Sequence, residues 1–108
     1  MTAIDETKLI VSKIVDYCNP DKIILFGSTA SGMGNLNSDI DLLVIKNTDK
    51  KRPFRVKEVF EAIRNIKREY PLDVLVYTPD ELNYRLKIGD YFITEAVNRG
   101  KVMYANWQ

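Results

Sequence analysis

The chain is predicted to fold as a single α/β (α+β) sheet domain, and three observations carry that expectation. Short β-branched runs alternate with longer stretches of helical apolar spacing. Proline, glycine or a capping residue stands at nearly every junction between them. The 108 residues, 45% hydrophobic and 29% charged, are enough for one core but not for a catalytic domain plus a substrate domain.

From about Thr2 to Cys18, apolar residues at Ile4, Leu9, Val11, Ile14, Val15 and Cys18 follow roughly helical spacing. Asn19-Pro20 ends that helix, because the residue before proline is pushed out of the α region. Lys22 to Phe26 is a short apolar run that reads as a buried strand, broken by Gly27-Ser28. Thr29 to Ser38 is rich in glycine, serine and asparagine and reads as a turn or loop, with room for one helical turn after Ser28. Asp39 to Ile45 forms a second strand, and Asn47 to Arg52 a solvated charged loop. Pro53 opens a helix expected to run to about Glu69, with Phe54, Val56, Val59, Phe60, Ile63 and Ile66 on its core face, and Pro71 stops it. Leu72 to Tyr77 is a third strand, and Thr78-Pro79-Asp80-Glu81 looks like a cap and first turn. A further helix from Asp90 to Arg99 is closed by Gly100, and Lys101 to Tyr104 is a last short strand. There is no repeat, low-complexity tract or interdomain linker.

Composition narrows the chemistry. Histidine is absent, which removes His-dependent triads and the usual zinc ligands. The single cysteine, Cys18, closes an apolar pattern and reads as a small buried side chain. A net charge of +1 gives no broad preference for nucleic acid or anionic lipid. No apolar run approaches the roughly 20 residues of a membrane helix, and the acidic N-terminus MTAIDETK is unlike a secretory signal, so cytoplasm is the expected location.

Against that background the strand acids stand out. Aspartate is depleted in strands, yet Asp39 and Asp41 open a run that is otherwise Ile-Leu-Leu-Val-Ile. Residues two apart on a strand share a face at roughly 6 to 7 Å, so these carboxylates repel each other. Either a pKa rises or a cation sits between them, and an oxygen-seeking ion such as Mg²⁺ fits best. Asp73 repeats the oddity within Leu72-Val74-Leu75-Val76. If its strand lies beside the second, three carboxylates converge, enough for a two-metal site. Upstream, Gly27-Ser28 follows a strand directly, with Gly32 and Gly34 close behind, a sequence that lets backbone approach an anion. It is not a P-loop, for no Gly-Lys-Ser/Thr follows.

Gly27-Ser28, ten intervening residues, then Asp39-Ile-Asp41 resembles the signature of the DNA polymerase beta-like nucleotidyltransferase superfamily. The stretch LFGSTASGMGNLNSDIDLLVI is similar to the minimal nucleotidyltransferase (MNT) branch, whose members pair with HEPN partners in toxin–antitoxin modules. LDVLVY and the closing NRGKVMYAN extend the likeness over most of the chain. By average residue usage such a pattern arises by chance in on the order of 10⁻³ of chains this long. The resemblance implies a small mixed sheet with helices packed mainly on one face. It implies Gly27 and Ser28 on the triphosphate, Asp39 and Asp41 as ligands of two Mg²⁺ ions, and Asp73 as ligand or base toward the acceptor hydroxyl. ATP is the implied donor, and a HEPN-type protein the implied partner and acceptor.

Two departures accompany the likeness. Many relatives carry arginines in the glycine loop where this chain has Thr29 and Ser31, so two charge-assisted phosphate contacts are missing. Larger relatives add a helical domain that completes the pocket; here the cleft is half encoded, which argues for a partner or a homodimer.

Blander readings apply to the remaining residues. Ser38 is either a contact behind Asp39 or plain loop. Lys22, Lys46 and the run Lys50-Lys51-Arg52 read as a solvated edge rather than as phosphate contacts. Tyr84, Tyr91, Phe92, Tyr104 and Trp107 read as core or interface packing, with base stacking as the alternative. Two functions stay open: an enzyme, and a non-catalytic antitoxin that binds its partner without turnover.

Overall fold

The computed structural model describes residues 1–31 and 39–106, the side chains of Ser28 and Ser31 excepted. Nine elements follow one another: α1 (Ala3–Cys18), β1 (Lys22–Phe26), α2 (Gly27–Ser31), β2 (Ile40–Ile45), α3 (Arg52–Ala62), β3 (Leu72–Tyr77), α4 (Pro79–Lys87), α5 (Tyr91–Arg99) and β4 (Lys101–Ala105). The four strands form one mixed sheet in the order β3-β2-β1-β4. β1 runs antiparallel to both of its neighbours, while β2 and β3 are parallel and joined through α3.

Local chemistry accounts for the boundaries. Thr2 caps α1 through a reciprocal box: its hydroxyl accepts from Asp5 N–H, and the Asp5 carboxylate accepts from Thr2 N–H, both at 3.1 Å. Asn19, barred from the α region by Pro20, takes the left-handed conformation (φ 50°) and ends the helix. Thr78 and Glu81 repeat the box at the start of α4, with Pro79 in its first turn. Asp90 caps α5 by accepting from Ile93 N–H at 3.1 Å.

The sheet is covered on both faces. Alternation along the strands sends Ile23 and Leu25 of β1 and Ile40, Leu42 and Val44 of β2 against Ile10, Ile14 and Cys18 of α1 and Val59 of α3. The opposite side chains, Ile24, Leu43, Ile45 and Tyr77, pack under Ile93 and Ala96 of α5 and Leu82 and Leu86 of α4. The two longest helices thus share one face, and the two nine-residue helices complete the second. No helix among the described residues is long and apolar enough to cross a membrane.

Three expectations are corrected. The α1 stripe is centred on Ile10, fully buried, while Leu9 is 37% exposed. α3 ends at Ala62 rather than near Glu69. Ile63 and Ile66 still reach the core because a turn, closed by Ile66 N–H on the Ile63 carbonyl at 3.0 Å, preserves the three-residue spacing of a helix. Phe54 lies off the Val56–Val59–Ile63 stripe and is exposed.

Two charged side chains are unexpectedly buried. Arg55 of α3 donates to both carboxylate oxygens of Glu81, at 2.7 and 3.3 Å, and to the Val76 carbonyl at 3.3 Å. It thereby holds α3, β3 and α4 together, and its guanidinium keeps the Glu81 carboxyl below the ordinary range. Glu6 of α1, 1% exposed, is the second. The expected solvated lysines are partly paired: Glu58 takes Lys50 at 2.7 Å and Lys46 at 3.7 Å, and Arg52 lies over the Tyr77 ring. Replacement Arg55→Ala is expected to cost about 2–3 kcal/mol, because it leaves a buried carbonyl unpaired and frees α4. Urea unfolding checks this, and a loss below about 0.5 kcal/mol would show that the clamp carries no stability.

Candidate active site

The antiparallel turnback from β1 to β2 decides where the polar groups meet. Because β1 runs opposite to β2, its last residue, Phe26, lies beside Asp41, and the chain leaves the sheet at Gly27 next to that aspartate. Because β2 and β3 are parallel and in register at Ile40 and Leu72, Asp41 and Asp73 are direct neighbours. Alternation places both carboxylates on the face shared with Leu43, Leu75 and Tyr77, at the end that α4 and α5 leave uncovered.

The two carboxyls stand side by side at one register of adjacent strands, and when no cation intervenes the Asp73 charge acts directly on Asp41. Partial burial raises the Asp41 pKa, and the negative charges of Asp73 and Asp39 raise it further. Asp39 is exposed, one residue ahead of β2, within electrostatic reach of Asp41. Among the described residues no three acid, cysteine or histidine side chains are gathered closely enough to cage a metal as they stand. The tight unit is therefore the Asp41–Asp73 pair with Asp39 at its edge. An all-oxygen donor set of this kind suits a hard divalent cation, whose charge would offset the repulsion within the pair.

Gly27 is dictated by the same pair. Its φ of +79° disfavours any side chain, and a Cβ there would overlap the Asp41 carboxylate oxygen. It opens α2, to which Ser28 also belongs. Ser38 lies outside the described residues, as do Gly32, Gly34 and Trp107.

Thr29, noted in the sequence for standing where relatives carry arginine, has a part of its own. It is 5% exposed, and its hydroxyl donates to the Asp39 carbonyl at 2.8 Å, tying α2 to the entry of β2. The sequence carried no signal for this beyond a small β-branched residue after Gly-Ser.

A cleft of about 440 Å³ opens over the pair, lined by Phe26, Gly27, Asp41, Asp73, Leu75 and Phe92. A second hollow of about 340 Å³ adjoins it, sharing Phe26, Gly27 and Phe92 and adding Tyr91, Ala96 and Arg99. Phe26 and Phe92 meet edge to face at 5.4 Å between centroids. Phe92 and Tyr91 are 55% and 78% exposed, and Tyr84 is exposed as well, so these aromatics are not core; Tyr104 does pack against it. Across the sheet the order is Asp73, Asp41, Gly27, then the apolar hollow toward β4.

The raised Asp41 pKa makes stability depend on pH. A fold that binds this proton more tightly than the unfolded chain gains stability fully present below about pH 4, and loses it as pH climbs through the folded-state value. Asp41→Asn keeps the shape of the side chain and removes the charge that faces Asp73. In metal-free protein it should raise the melting temperature by about 2–4 °C at pH 7 and leave it unchanged near pH 3.5. Scanning calorimetry at the two pH values checks this; a lowered melting temperature at pH 7 would mean that Asp41 is structural.

Comparison with known proteins agrees with this architecture. No curated protein sequence matches the chain. A crystal structure from Sulfolobus solfataricus, described as a nucleotidyltransferase, superposes with a TM-score of 0.62 at 21% identity, over 93% of this chain and 78% of that one. A toxin–antitoxin structure solved with AMP-PNP gives a TM-score of 0.64 at 21% identity, over 95% of this chain and 75% of that one. At such identities both show a shared fold. Residues 4–102 match the family described as nucleotidyltransferase domain, and the chain belongs to that family.

Proposed function

We propose that the protein is a Mg²⁺-dependent nucleotidyltransferase that moves AMP from ATP to a hydroxyl on a HEPN-type toxin partner and so acts as its antitoxin. The observation that carries the reading is the side-by-side Asp41–Asp73 pair, with Gly27 pressed against Asp41 at the mouth of an open cleft. Family membership supports the reaction class, and the similar fold of a toxin–antitoxin structure solved with AMP-PNP supports the choice of nucleotide and the biological setting.

In this reading Asp39, Asp41 and Asp73 would hold two Mg²⁺ ions, which would supply positive charge to the triphosphate and to the departing pyrophosphate. Gly27 and Ser28 present backbone N–H groups, and Ser28 its hydroxyl, to the phosphates, with Ser38 behind Asp39. An acceptor hydroxyl approaches from the β3 side, where Asp73 takes its proton. The acceptor oxygen forms a bond to the α-phosphorus, the bond from that phosphorus to the bridging oxygen breaks, and pyrophosphate leaves with the electron pair. The nucleoside then lies on the Gly27 side, with Phe92 and Tyr91 as the surface on which its base stacks.

Incubation with [α-³²P]ATP, Mg²⁺ and the protein encoded beside it should label that partner, whereas [γ-³²P]ATP should not. Asp73→Asn should lower the labelling rate by roughly 10²–10⁴-fold, the usual worth of a general base. Phe92→Ala should weaken nucleotide binding by about 10-fold or more, readable by calorimetry.

A second reading, a non-catalytic antitoxin, is favoured by one observation: large side chains Tyr84, Ile88, Tyr91 and Phe92 stand exposed around the α4–α5 junction, as a docking surface would. Tight partner binding without label from either nucleotide would decide for it.

A further inference from the structure

Glu6 is a buried carboxylate that the proposed chemistry does not use. It is 1% exposed, and its two oxygens accept from the backbone N–H groups of Glu69 and Tyr70 at 2.7 and 3.1 Å. Burying a carboxylate is costly, and an apolar side chain would pack there without that cost. What an apolar side chain lacks is two acceptors for two adjacent donors at the end of an irregular stretch. From Ile63 onward the chain has left α3, and it regains regular pairing only at Leu72.

The held turn leads straight into the catalytic strand. Pro71, next after Tyr70, accepts from Ile40 N–H at 2.8 Å, and from there Ile40 pairs with Leu72 and Asp41 with Asp73. Tyr70 itself is buried in the α1–α3 core. The α1 helix is thus tied, through one side chain, to a point three residues ahead of Asp73. A parallel pair has no hairpin to fix its register, so the entry of β3 has to be pinned by contacts of this sort.

We propose that Glu6 is a positioning residue for the acid pair: its carboxylate fixes the entry of β3 and thereby the placement of Asp73 beside Asp41. The consequence for metal binding rests on the nucleotidyltransferase reading; the consequence for strand register does not.

The test compares Glu6→Gln, nearly isosteric but with one acceptor oxygen instead of two, with Asp90→Ala, which removes the α5 cap on the other face of the sheet and makes no contact with the 69–70 turn. Glu6→Asp, which withdraws the carboxylate by one methylene, serves if the glutamine variant does not fold. Two quantities are measured on the full chain: amide hydrogen exchange at Ile40, and Mn²⁺ affinity by calorimetry. Glu6→Gln should speed exchange at Ile40 roughly tenfold or more and weaken Mn²⁺ binding about tenfold, while Asp90→Ala lowers the melting temperature and moves neither. If Glu6→Gln and Glu6→Asp leave both quantities as in Asp90→Ala, Glu6 is only a stability residue and the proposal falls. If the wild type binds no Mn²⁺ but Ile40 exchange still accelerates, the tether stands and the metal-dependent reading falls instead.

Discussion

Two carboxylates lie side by side on neighbouring parallel strands, and the surrounding structure is arranged around that unfavourable contact. Asp41 and Asp73 face the same way because their strands are parallel and in register, so nothing short of a register slip separates them. A slip of β3 by one residue would turn its side chains to the wrong layers, and Val74 and Val76 would leave the α1–α3 core. The energy that keeps two acids together is therefore the hydrophobic energy of the sheet beneath them. Their repulsion is moderated locally by the open cleft, which leaves the pair partly solvated.

The neighbours of the pair follow from the same constraint. Gly27 has no side chain because the Asp41 carboxylate occupies that space. Thr29 is tied to the Asp39 carbonyl, so the polar turn after β1 and the entry of β2 cannot separate. On the far side, Arg55 and Glu81 fasten α3 and α4 to the end of β3, and Glu6 fastens its start. Buried charged groups of this kind add less stability than apolar packing would, but each accepts or donates only in one geometry, which gives definition to strands that no hairpin connects.

Much of this was legible in the residues. Acids in strands are depleted for a physical reason, so Asp41 and Asp73 stood out before any fold was known, whereas Asp39, read as the first residue of the same strand, lies one position ahead of it. The cap at Thr78, the stops at Asn19-Pro20 and Gly100, and helix starts near Thr2 and Asp90 were readable because their chemistry is local. The end of α3 was not: Ile63 and Ile66 keep helical spacing through a turn, and periodicity cannot tell the two apart. Glu6 and Thr29 were not either, because a polar residue on a helix or in a loop looks solvated until the distant backbone it serves comes into place. The placement of Tyr84, Tyr91 and Phe92 outside the core was hidden for the converse reason, since an aromatic residue looks the same in sequence whether it is covered or not.

That exposure bears on how the proposed transfer would work. Phosphoryl transfer is driven by charge stabilisation, which gains strength as water is expelled. A cleft open on one side, with the acids at one end and uncovered aromatic rings at the other, cannot supply that exclusion from its own described residues. The nucleoside would cover part of the aromatic surface, and the acceptor protein would cover the rest as its hydroxyl reaches Asp73. Activity would then depend on the acceptor being bound as a folded surface rather than as a free hydroxyl. A site completed only by its substrate protein spends little nucleotide when that protein is absent, which is the behaviour a dedicated antitoxin requires.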